Sequence, residues 1–138
     1  MILLRSINSI MAAVLFFCLA GSVAEAVVQE PFASAQDPYL IYRKADSLLS
    51  GNQDLRADSL FSKVQEIFLQ EGDQRYYVSC LIKRSRIAMR HVKIEEAKKL
   101  LDQAEASLSK LDLDPQDSLY SDLFYRRAYY FQLLHDYD

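Results

Sequence analysis

The chain has 138 residues, a formal net charge of −3 and 51% hydrophobic residues, which bounds it to one small domain at most. The acidic balance argues against a nucleic-acid partner, whose phosphates call for a basic face. No stretch alternates apolar and polar residues long enough to make a strand, so the predicted class is all-α.

Residues 1–26 read as a secretory signal peptide. Arg5 supplies a positive start, Ile10 to Ala20 an apolar run, and Ala24-Glu25-Ala26 a small-x-small cleavage site. The run is short for a membrane span. Two other readings of the leader are an uncleaved anchor and lipoprotein processing at Cys18, although Phe16 and Phe17 sit where processing needs small residues. Export is the expectation, with membrane contact only through an uncleaved or lipidated leader. Cleavage leaves Cys80 as a lone cysteine without a disulfide partner. It sits in a helix near Tyr76 and Tyr77 with no activating neighbour, so it reads as a small buried apolar residue.

Residues 27–36, with Pro31, Ala33, Ser34 and Ala35, form a short linker. Asp37-Pro38 opens the first helix, Asp as N-cap and Pro in the first turn. Gly51-Asn52 ends it, as Gly does just past a helix. The second helix starts at Asn52 to Asp54 and carries Leu60, Phe61, Val64, Ile67 and Phe68 on one side. Gly72-Asp73 closes it and opens the third, Gln74 to His91. Val92-Lys93 turns into the fourth, Ile94 to Leu111, and Leu113 to Asp117 leads to the fifth, Ser118 to about Leu134.

Rows at offsets of four and seven mark one face of each helix. In first helices of a hairpin they are Ile41, Ala45 and Leu48; Leu81, Ser85 and Ala88; and Phe124, Ala128 and Phe131. In second helices they are Ala57, Phe61 and Val64, then Ala97, Leu101 and Ala104. Ala45 to Ser85 and Ala57 to Ala97 each span 40 residues, and Ser85 to Ala128 spans 43. Small residues at mid-helix let a neighbouring helix approach closely.

This arrangement resembles the tetratricopeptide (TPR) helix-turn-helix repeat, in a longer form than the family's usual repeat of about 34 residues. Leu113-Asp114-Pro115 resembles the family's repeat ending, and His135-Asp136-Tyr137-Asp138 resembles the turn between its two helices. The resemblance implies an α-solenoid of antiparallel helix hairpins over residues 37–138. Repeat 1 would be 37–72, repeat 2 would be 73–115, and an incomplete repeat 3 would be 116–138. Ala45, Ala57, Phe61, Ser85, Ala97, Leu101, Ala104, Phe124 and Ala128 are then the expected repeat-packing residues. The last helix, with Leu119, Tyr120, Phe124, Tyr125, Tyr129, Tyr130 and Phe131 among others, is too apolar for an outer face. Helix 118–134 is therefore expected to meet further C-terminal repeats or a partner chain, a homo-oligomer included.

No catalytic constellation is present: no nucleophile elbow, Gly-rich phosphate loop, His-x-x-x-His or Cys-x-x-Cys. His91 and His135 fall at expected turns, and Asp112, Asp114 and Asp117 lack the central Gly and final Glu of a calcium loop. No catalytic, metal or cofactor site is assigned, and no enzyme is expected.

One charged feature stands out. Arg43-Lys44, Lys83-Arg84 and Arg126-Arg127 each directly precede the small mid-helix residue of a first helix. The resemblance places first helices on a concave groove that grips peptides. It thereby implies a groove role for Arg43, Lys83, Arg86 and Arg126, with Tyr42, Tyr125 and Tyr129 as flanking contacts. Arg suits bidentate carboxylate binding, so an acidic segment or chain terminus is a reasonable ligand. The plainer alternative is that these bases pair with acids of adjacent second helices or face water. The expected function is a scaffold binding a partner protein or peptide, in the manner of the periplasmic part of a bacterial regulator. The alternative is a self-assembly module with no separate ligand.

Overall fold

The computed structural model describes residues 37–137. Among them are five helices and no strand: α1 (Pro38–Ser50), α2 (Asp54–Glu71), α3 (Gln74–Arg90), α4 (Ile94–Leu108) and α5 (Ser118–Tyr137). The class is all-α. The expected leader (1–26) and linker (27–36) lie outside the described residues, as does Asp138. No helix among the described residues is long and apolar enough to cross a membrane.

Local chemistry accounts for where these helices start. The Asp37 carboxylate accepts the Tyr39 N–H at 2.9 Å, and Pro38 occupies the first turn, satisfying backbone donors that have no intrahelical partner. Asp73 accepts from the Tyr76 N–H at 3.2 Å and Asp117 from the Leu119 N–H at 2.9 Å. Each first helix thus begins on an aspartate. Helices α2 and α4 follow tight turns and have no side-chain cap bond, but Asp54 in one and Glu95 and Glu96 in the other place negative charge in the first turn, where the helix dipole favours it.

The turns share one geometry. Asn52, Gly72 and Val92 are left-handed, with φ of 58°, 79° and 56°. The residue after each donates its N–H back across the turn at 2.9 Å: Gln53 to Leu48, Asp73 to Phe68 and Lys93 to Ala88. This is the helix-terminating pattern in which a left-handed residue reverses the chain. The left-handed residue of the first turn is Asn52; Gly51, expected to play the part of terminal glycine, has an ordinary φ of −83°. Asn tolerates the left-handed region, so glycine is not required.

Each helix packs on the next in chain order, and α3 also touches α5. Two apolar clusters result. In one, Ile41, Ala45 and Leu49 of α1 and Ala57, Phe61, Val64 and Phe68 of α2 meet Cys80 and Ile87 of α3. In the other, Val78, Leu81, Ile82, Ala88 and Met89 of α3 meet Ala97, Leu100, Leu101, Ala104 and Leu108 of α4 and Leu119, Leu123 and Tyr130 of α5. Ala45, Ala57, Phe61, Ser85, Ala97, Leu101 and Ala104 are all fully buried. The Ser85 hydroxyl, sealed between the clusters, donates to the Ile82 carbonyl at 2.7 Å and so is satisfied within its own helix.

Three further expectations differ from the structure. Phe124 and Ala128, expected in repeat packing, lie on an exposed face of α5, because no described helix follows to cover it. Helix α4 stops at Leu108, not Leu111. The Lys110 and Leu111 N–H groups bond only three residues back, to Ser107 and Leu108, so the winding tightens and ends. Helix α5 runs to Tyr137, so His135, Asp136 and Tyr137 are helical and do not form a turn. No Gly or Pro interrupts it.

Candidate functional site

The first helices of the two hairpins and α5 enclose a cleft of ≈ 260 Å³, lined by Tyr42 of α1, Arg75, Tyr76, Ser79 and Lys83 of α3, and Ser118, Leu119 and Asp122 of α5. Arg75, Ser79 and Lys83 recur every four residues, which puts them on one stripe of α3. An aromatic cluster forms one wall. The Tyr42 ring meets Phe61 and Tyr76 edge-on, with centroids 5.6 and 5.0 Å away. The Tyr42 hydroxyl lies 2.6 Å from Ser79 Oγ. Burial pushes its pKa up to about 12, against a smaller downward pull from the Ser79 bond, so the phenol stays protonated.

The basic residues sort into two groups. One group is neutralised internally. Arg84 donates to Asp58 at 2.9 Å and Gln65 at 3.1 Å, tying α3 to α2. Arg127 donates to Asp102 and Glu105, tying α5 to α4. Lys98 and Arg127 together hold the Asp102 carboxyl below its ordinary range. Arg90 reaches Asp54 at 3.0 Å and Asn52 at 2.8 Å, and Arg75 pairs with Asp117 at the start of α5. Of the residues expected in the groove, Lys83 belongs to this group, because it donates to Asp46 of α1 at 2.6 Å.

The second group has no carboxylate within ion-pairing distance among the described residues: Arg43, Arg86 and Arg126 of the expected groove, together with Lys44, Arg56, Lys63, Lys99 and Lys110. Arg43 is exposed, whereas Arg86 and Arg126 are half-buried. Burial and the neighbouring Arg86 charge hold the Arg126 guanidinium below its usual range. Its charged carbon lies 4.9 Å from the centre of the Tyr125 ring, a favourable cation–π contact. Tyr125 and Tyr129 are both exposed beside it. The structure therefore brings Arg86, Arg126, Tyr125 and Tyr129 together and places Tyr42 and Lys83 in the adjoining cleft.

The α3 stripe of Arg75, Tyr76 and Ser79, with Asp122 opposite, was not legible as part of a site. The four-residue spacing of Arg75, Ser79 and Lys83 was the available signal. Among the described residues no group of three His, Cys, Asp or Glu is placed to hold a metal ion. Cys80 is fully buried, and burial pushes its thiol up to about 12, so it is a poor nucleophile at neutral pH. Comparison with protein-family models, with curated proteins and with solved structures gives no match for this chain.

Proposed function

We propose that this chain is a protein-binding scaffold: an exported stack of TPR-like hairpins whose first helices hold an acidic segment or chain terminus of a partner. Arg86 and Arg126 would grip the carboxylates, with Tyr125 and Tyr129 flanking them and the Tyr42–Lys83 cleft accepting the adjoining residues. No catalytic step is assigned to it.

One observation carries this reading. Two neighbouring, partly buried arginines have no carboxylate within ion-pairing distance among the described residues, the nearest favourable charge on Arg126 being the more distant Asp122, while Arg84 and Arg127, in the same helices, are tied to acids. Burying unpaired like charges opposes folding, and a ligand carboxylate would relieve the opposition through charge-assisted, bidentate hydrogen bonds worth about 1.5–3 kcal/mol each. The experiment is fluorescence anisotropy with a labelled Asp/Glu-rich decapeptide bearing a free C-terminus. Saturable binding that weakens with salt, and that falls by about tenfold or more in the Arg86→Glu/Arg126→Glu variant, supports the reading. Unchanged affinity in that variant overturns it.

A further inference from the structure

The Arg86–Arg126 pair has a counterpart of opposite character inside the molecule. A shift of 40 residues carries Ala45 of α1 onto Ser85 of α3, and a shift of 43 carries Ser85 onto Ala128 of α5. These shifts preserve contacts as well as spacing. Cys80 and Ile87, the α3 residues that pack against the preceding hairpin, map onto the buried Leu123 and Tyr130. Arg84 maps onto Arg127, and both bond to side chains of the preceding second helix. Between the first helices of the two hairpins, Lys83 of α3 donates to Asp46 of α1 at 2.6 Å. The same shifts put Arg86 in the place of Asp46 and Arg126 in the place of Lys83. Where the α1–α3 junction sets a carboxylate against an ammonium, the α3–α5 junction sets two half-buried guanidiniums against each other. Asp122, one turn before Arg126, is exposed and pairs with neither of them.

We propose that a bound oxyanion completes the α3–α5 junction, bridging Arg86 and Arg126 as Asp46 meets Lys83, and thereby fastens α5 to α3. This rests on the same two arginines as the proposed function but gives them a further consequence, control of how firmly α5 is held. Each guanidinium offers a planar fork of donors that matches the oxygens of a carboxylate or phosphate. The anion also cancels the repulsion between the two cations, so its binding and the docking of α5 become one equilibrium. An anion that binds only the closed junction lowers the open population in proportion to its own saturation of the site. Helix α5 otherwise holds to α3 and α4 through Leu119, Leu123 and Tyr130 and through Arg127. The shared chemistry is an oxyanion, supplied either by a free inorganic ion or by an acidic group of a partner.

The test is amide hydrogen exchange, read by NMR on the full chain at constant ionic strength. One arm replaces chloride with inorganic phosphate and the other adds the acidic decapeptide. At about four times its Kd, an effective anion should slow α5 exchange about fivefold and leave α1 little changed. Slowing by phosphate identifies a free ion as sufficient, and slowing by the peptide alone identifies a partner's acidic group. Arg86→Asp, which sets a carboxylate opposite Arg126, should slow α5 exchange without any anion and remove the anion effect. Asp46→Arg, which sets two cations at the α1–α3 junction, should speed α1 exchange and make it anion-sensitive. Three results overturn the inference: α5 exchange indifferent to both anions, equal slowing in α1 and α5, or an Arg86→Asp variant that still responds. Decapeptide binding through Arg86 and Arg126 that leaves α5 exchange unchanged overturns it while sparing the proposed function. Phosphate-dependent slowing of α5 without decapeptide binding does the reverse.

Discussion

Val92 holds a β-branched side chain at φ 56°, half exposed at the turn between α3 and α4. Such a residue is strained in the left-handed region, at about 1–3 kcal/mol, whereas Asn52 at the matching turn tolerates it. Val92→Gly should therefore stabilise the fold by about 1 kcal/mol, raising Tm by roughly 4–8 °C; a thermal melt reads this directly, and a lowered Tm would contradict the assignment of strain. Cys80 gives a pH-dependent prediction. Its folded thiol is pushed up to about 12 from an ordinary 9.0, so above pH 9 the unfolded chain loses a proton that the folded chain keeps. That stabilisation of the folded state is complete below pH 9 and is lost as pH rises toward 12, by up to about 1.4 kcal/mol per pH unit. Urea titrations at pH 8 and pH 10 should show a steeper loss in the parent than in Cys80→Val; equal losses would show that the thiol does not drive it.

At the scale of elements, α3 is the helix on which both apolar clusters converge, and α5 repeats only the half of its packing that faces backward along the chain. Adjacent positions on α5 should therefore respond in opposite ways. Leu123→Asp places a charge in a buried site and should cost about 3 kcal/mol or more. Phe124→Asp, one residue on, should change stability by no more than about 0.5 kcal/mol. Chemical denaturation of the two variants decides it, and similar losses would mean that α5 is rotated from the orientation described. Much of this was legible in the sequence. Asp37-Pro38, Gly72-Asp73 and Val92-Lys93 marked boundaries through capping and turn chemistry, and Ala57 and Ala97 marked buried positions through spacing. What spacing does not encode is whether a neighbour is present, which is why Phe124 and Ala128 were expected to be packed. Nor does a basic dipeptide reveal which member turns sideways: successive helical residues point about 100° apart, so Arg84 and Arg127 reach acids of the preceding helix while Arg126 does not.

Across the whole molecule, the bases that hold helices together and the bases proposed to meet a partner lie in the same helices. Arg84 and Arg127 link α3 to α2 and α5 to α4; pairs of this partly exposed kind are worth about 1 kcal/mol or less. Arg86 and Arg126 contribute no such link among the described residues and repel one another. A carboxylate ligand that binds only the folded state raises its melting temperature by mass action. The decisive measurement is thus the Tm of the parent, of Arg84→Gln/Arg127→Gln and of Arg86→Gln/Arg126→Gln, each with and without the acidic decapeptide. The first variant should show a lowered Tm with the ligand-induced rise retained, and the second an unchanged or higher Tm with the rise abolished. A ligand-induced rise that survives loss of Arg86 and Arg126 would contradict the proposed role of that pair.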